Sequence, residues 1–169
     1  MFRYCGDHSP PLGWYSFSIE LEFQTASPDA LLLYLQGSVH ADFIALQLRA
    51  GILIYSYNLG SGRVDIESET TYNDGVIHMV WLYTSVFRLC TICHGSTPLQ
   101  VELRRFEQYG VMIIDGGAET RNGSSPGTFT ALNINNGFLF LGGIPDFMNF
   151  ISLFPGGAVV SQLKLHVNS

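Results

Sequence analysis

The sequence predicts an all-β protein, an antiparallel β-sandwich, on three observations. Apolar and polar residues alternate over short segments, glycine-rich turns separate those segments, and no 3.6-residue apolar period persists for three turns with caps at both ends. No internal repeat points to a propeller or a solenoid.

The first strand is Phe17 to Phe23, where Phe17, Ile19, Leu21 and Phe23 share one face and Ser18, Glu20 and Glu22 the other. The turn Ala26-Ser27-Pro28-Asp29-Ala30 leads into Leu31 to Leu35, an apolar run of core-strand length. Asp42 to Leu48 alternates again, and Arg49-Ala50-Gly51 turns the chain into Ile52 to Tyr57 as a hairpin does. Gly60-Ser61-Gly62 ends that strand, Val64 to Glu67 starts another, and Asn73-Asp74-Gly75 is a turn. Later strands are expected at Val111 to Ile114, before Asp115-Gly116-Gly117, at Phe138 to Leu141, before Gly142-Gly143, and at Val159 to Val167.

A chain of 169 residues has the size of one domain that buries its own core, and 47% hydrophobic content with scattered glycine and proline argues against disorder. Eight Lys plus Arg against fourteen Asp plus Glu give a net charge of −6. That charge argues against nucleic acid and against heparin-type sulfated glycans, since Arg104-Arg105 is the one adjacent basic pair. No leader-like apolar run follows Met1-Phe2-Arg3 and no stretch approaches the roughly 20 apolar residues of a membrane span, so a soluble fragment with no membrane insertion is expected. Three cysteines, Cys5, Cys90 and Cys93, leave one over and do not settle the redox compartment. Asn122-Gly123-Ser124 is an N-glycosylation sequon, expected in a Gly/Ser/Pro loop.

The order of these pieces resembles the laminin G-like family of laminins, neurexins, agrin, Slit and perlecan. Phe23-Gln24-Thr25 with Asp29 to Tyr34 is similar to the family's opening, followed by Asp42-Phe43-Ile44-Ala45-Leu46, Tyr57-Asn58-Leu59-Gly60-Ser61-Gly62, Asn73-Asp74-Gly75 with His78, Ile114-Asp115-Gly116, and Leu139 to Pro145. Each piece is short and common among β proteins; their shared order from residue 17 to 167 carries the resemblance. It implies a jelly-roll sandwich of two curved sheets, and an extracellular binding or adhesion module of a larger protein, contacting a protein or glycan partner. Residues 1–16 are then an N-terminal linker or truncated first strand, and 17–169 the domain.

Three departures from the family stand out. Ile77 replaces a Trp before His78, a late Cys near Val159 is absent, and Trp81 to Gln100 intervenes between Val80 and the strand-like Val101-Glu102-Leu103-Arg104-Arg105. The last reads as an atypical insert at about 81–100, and joining Val80 to Val101 is expected to restore a continuous strand.

The resemblance also implies a Ca²⁺ site at one rim, with Asp42 as carboxylate, Leu59 as carbonyl donor, and Asn133 or Asn135 as the last ligand. Hard oxygen ligands suit Ca²⁺, and one carboxylate implies weak affinity. The alternative is that Asp42 caps a turn and the asparagines hold loops. Asp65, Glu67 and Glu69 share one strand face and resemble the catalytic acids of family 16 glycoside hydrolases, though Asp65 stands where that motif has Glu and a solvated strand face explains them equally. Cys90-Thr91-Ile92-Cys93-His94 matches a c-type haem attachment pattern and half a zinc site, but no axial partner or further ligands are visible, so coincidence is preferred. His78 reads as a core or rim histidine, with no Ser or Cys nucleophile arranged beside it. A carbohydrate-binding module is the first rival and would line a concave sheet with Trp or Tyr; Trp14 and Trp81 are the available tryptophans.

Overall fold

The computed structural model describes residues 17–37, 42–84, 108–133, 137–143 and 162–168. They form strands β1 (Phe17–Gln24), β2 (Ala30–Gln36), β3 (Phe43–Arg49), β4 (Ile52–Asn58), β5 (Arg63–Thr71), β6 (Ile77–Thr84), β7 (Tyr109–Ile114), β8 (Glu119–Ser124), β9 (Phe138–Leu141) and β10 (Gln162–Asn168). A single 3₁₀ turn, Asp115–Gly117, joins β7 to β8.

Two five-stranded sheets result, ordered β10-β1-β6-β7-β8 and β5-β4-β3-β2-β9, with every pairing antiparallel. The alternation in β1 sends Ile19, Leu21 and Phe23 into the space between the sheets, where they meet Leu33, Ile44, Leu46, Leu53 and Tyr55 in one core. Each such side chain contributes about 1.5–3 kcal/mol on burial. A second cluster, Leu31, Tyr34, Phe43, Ala45 and Phe140, explains why β2 and β3 read as near-continuous apolar runs: both of their faces are buried.

β8 packs unusually close to β5. A Cβ on Gly110 would stand 2.4 Å from the Tyr57 ring, and one on Gly123 would stand 2.9 Å from Ile66 Cγ1. These two glycines are register partners on β7 and β8, so the pair forms a notch for Tyr57 and Ile66. The open backbone edge of β5 is then sealed by side chains of β8. Glu119 accepts the Glu69 N–H at 2.6 Å, and Arg121 Nε donates to the Glu67 carbonyl at 3.0 Å.

One expectation is corrected. The sequon triplet lies on edge strand β8 rather than in a loop, paired with Tyr109 to Val111 of β7. Trp81–Thr84, the first residues of the segment expected as an insert, continue β6 and pair with both β1 and β7. Leu82 from that stretch is fully buried in the core. The expected strand at Val101 to Arg105, with Cys90, Cys93 and His94, lies outside the described residues.

Candidate functional site

Asp42 immediately precedes β3 and is 1% exposed. Its Oδ2 accepts two hydrogen bonds from Asn133, from the backbone N–H at 2.8 Å and from Nδ2 at 3.1 Å. Its backbone carbonyl accepts the Gly37 N–H at 3.1 Å, which ties the end of β2 to the start of β3. One acidic residue thus ties together chain segments 91 positions apart.

The β4–β5 loop completes the rim. Asn58 Oδ1 accepts the N–H groups of Gly60 at 2.8 Å and Gly62 at 3.1 Å, a side-chain turn that curls the loop around Leu59. Leu59 anchors it with a side chain only 4% exposed. Gly60 has φ of 97°, and a Cβ there would stand 3.3 Å from Asp42 Oδ1 and 3.5 Å from the Phe129 ring. Only a glycine lets the loop come this near the carboxylate at that φ without strain. Phe129 is 60% exposed, and its N–H donates to Ser61 Oγ at 3.3 Å. Asp42, Leu59 and Asn133 therefore gather at one end of the sandwich, with Phe129 beside them; Asn135 lies outside the described residues. Phe129 carries no pattern in its own segment, and only the packing of residues 126–129 over the Gly60-Ser61-Gly62 loop reveals it.

Among the described residues no three His, Cys, Asp or Glu side chains gather as a metal cluster. The carboxylate of Asp42 is the acidic oxygen donor at this rim, and Asn133 turns its amide nitrogen rather than its oxygen toward it. Oxygen donors of this kind are the type that Ca²⁺ takes, whereas zinc and soft metals favour nitrogen and sulfur.

His78 occupies a different place. It is 8% exposed, with Nδ1 2.8 Å from Asp115 Oδ2 and Nε2 3.0 Å from Asp74 Oδ1. Tyr72 meets its ring edge-on at 5.0 Å. Burial disfavours the charged ring, but the carboxylates of Asp115 and Asp74 outweigh it and raise the His78 pKa above its ordinary value. Asp74 is held below its ordinary value by the Val76 N–H and then by His78. Both ring nitrogens are thus engaged with turns, as in a structural latch.

The acidic row of β5 is a solvated face. Asp65 pairs with Arg63 at 2.6 Å, Glu67 with Arg49 at 3.4 Å, and Glu69 with Arg121. Each acid has its own arginine, the arrangement of an exposed strand surface rather than of an acid and nucleophile facing a shared substrate.

The antiparallel two-sheet sandwich is that of the laminin G class, and the chain belongs to it: the Laminin G domain model matches residues 23–157. The chain is 35% identical over 133 residues to human pikachurin, covering 76% of this chain and 11% of that protein. It is 34% identical over 134 residues to the mouse basement membrane-specific heparan sulfate proteoglycan core protein, covering 76% of this chain and 3% of that one. The chain thus spans a small fraction of the length of these relatives. Among solved structures, it superposes on domains LG4-5 of the mouse laminin alpha1 chain with a TM-score of 0.69 at 20% identity, covering 96% of this chain and 37% of that one. The LG1-3 region of the laminin alpha2 chain gives a TM-score of 0.70 at 17% identity, covering 99% and 29%.

Proposed function

We propose that this domain is an extracellular binding and adhesion module that contacts a protein or glycan partner through the rim at Asp42, with a Ca²⁺ ion held there. The observation that carries this reading is the convergence of Asp42, Asn133 and the Leu59-Gly60 loop beside an exposed Phe129. Asp42 would supply the carboxylate, Leu59 its carbonyl, and Asn133 its amide oxygen once the carboxamide turns toward the ion. A site with so few protein ligands leaves positions for water or for an acidic group of the partner. Kinship with proteins named for laminin and the basement membrane supports the extracellular setting.

The test is thermodynamic. An ion that binds only the folded chain, present at 100 times its Kd, adds about 2.7 kcal/mol to stability. Millimolar Ca²⁺ should therefore raise the unfolding midpoint above that in chelator, and Asp42→Ala should remove the difference. Equal midpoints with and without Ca²⁺ for the parent chain would defeat the reading. Phe129→Ser should weaken partner binding while leaving the Ca²⁺ response intact.

A further inference from the structure

The outward faces of β6, β7 and β8 combine two features that the rim does not use. The first is an apolar stripe. Leu82, Met112 and Ile114 point into the core, so the alternate residues Trp81, Val111 and Ile113 point out, each only half-buried, with Tyr109 41% and Ile77 49% exposed. The second is the sequon. On β8 the notch at Gly123 faces β5, and alternation sends Asn122 and Ser124 outward together, both exposed. Asn122 lies directly opposite Val111, and Ser124 directly opposite Tyr109. Among the described residues the Asn122 carboxamide makes no hydrogen bond, so no described contact must break for it to carry a substituent.

We propose that Asn122 is an N-linked glycosylation site whose first sugars lie over Val111 and Tyr109 and shield the apolar stripe. The inference rests on the extracellular reading, since the donor is available only along the secretory route. In the transfer, Nδ2 of Asn122 bonds to the anomeric carbon of a lipid-diphosphate-linked oligosaccharide. The bond from that carbon to the diphosphate oxygen breaks, the amide loses one proton, and the diphosphate leaves with the bonding electrons. The strand register supplies both parts that the modification needs, an outward asparagine and a hydroxyl two residues on, on the same face. Cross-strand neighbours on one face lie about 4.5–5.5 Å apart at Cβ, so a sugar on Asn122 starts within contact of Val111. A bulky polar group here also answers why an apolar row can stand on the outside of a sheet.

The experiment expresses the full chain behind a secretory leader in glycosylating eukaryotic cells, with a second sequon in a C-terminal tag as a control for entry into the lumen. Intact mass and peptide mapping after peptide N-glycosidase treatment should show Asn122 converted to Asp in the parent. Both Asn122→Gln and Ser124→Ala should lose one glycan while keeping that of the tag, and Ser124→Thr should retain both. A secreted parent chain glycosylated on the tag alone overturns the inference. It leaves the extracellular reading untouched, because leader and tag force entry and that reading stands on Ca²⁺ and partner binding. For the shielding, the secreted Asn122→Gln and Ser124→Ala proteins should bind more of an apolar fluorescent dye than the glycosylated parent. Equal dye binding by all three overturns that part.

Discussion

Tyr55 and Tyr57 stand two residues apart on β4 with ring centroids 5.3 Å from each other, yet their hydroxyls meet opposite surroundings. Tyr57 donates to the Gln108 carbonyl at 2.7 Å, with the Gly123 carbonyl at 3.2 Å, and burial raises its pKa to about 12. The Tyr55 hydroxyl is buried and has no hydrogen-bond partner among the described residues, and burial pushes its pKa well above the ordinary phenol value. A buried hydroxyl without a partner costs about 1–3 kcal/mol, whereas a satisfied one contributes about 1. Tyr55→Phe should therefore leave stability unchanged or raise it, and Tyr57→Phe should lower it by about 1–2 kcal/mol. Urea unfolding of the two variants checks this, and equal losses would show that the hydroxyls are equivalent. The β4 sequence cannot tell the two tyrosines apart, because the partners of the Tyr57 hydroxyl come from β8 and from residue 108.

At the scale of the element, β6 is where periodicity makes the sharpest demand. His78, Val80 and Leu82 face the core, so whatever follows Val80 must be outward at the next position and apolar at the one after. Removing Trp81 to Gln100 joins Val80 to Val101, the joint expected from the sequence to restore a continuous strand, but because Leu82 faces the core it puts Glu102 in a buried place. Removing Trp81 to Val101 joins Val80 to Glu102, which sends Glu102 outward and gives Leu103 the core position. The second joint also leaves Phe106 to Gln108 to connect β6 to β7, a hairpin loop of ordinary length. The deletion of 81–101 should fold with a melting temperature no lower than the parent. That of 81–100, one residue different, should lose about 3 kcal/mol or more from its buried carboxylate. Indistinguishable deletions would mean that β6 does not hold this register. Strands with one clean apolar face, such as β1, were legible in the sequence, since their period is the signal itself. β8 was not, because its inward residues Glu119, Arg121 and Gly123 are polar or absent side chains that face β5 rather than the core. The Asp42–Asn133 tie spans 91 positions and leaves no local trace, so only the family resemblance pointed to it.

At the scale of the whole molecule, the His78 latch is one of the ties holding the turns at the ends of the strands to each other. It connects the Asn73-Asp74-Gly75 turn with the 3₁₀ turn at Asp115, while Asp115 Oδ1 also accepts the Met79 N–H at 2.8 Å. The first turn is fastened to β1 as well, through the Gly75 N–H to the Thr25 carbonyl at 3.0 Å and Gln24 Nε2 to the Gly75 carbonyl at 2.6 Å. A histidine whose pKa is raised on folding binds its proton more tightly in the native chain than in the unfolded one. Its contribution is therefore fully present below the unfolded value of about 6.5 and is lost as pH rises through the higher folded value. Asp74 and Glu119, both held below the ordinary carboxylate values, act in the opposite sense and at lower pH: their contributions persist at neutral pH and are lost under acid conditions. Between about pH 6 and pH 8 the carboxylates stay ionised and the histidine decides the slope. His78→Gln keeps a hydrogen-bonding side chain but removes the titration, and comparing it with the parent cancels the other histidines. The stability difference between parent and variant should be larger at pH 6 than at pH 8. Parallel pH profiles of the two proteins in chemical denaturation would show that the ring is held neutral, with its one N–H donated to only one of the two aspartates.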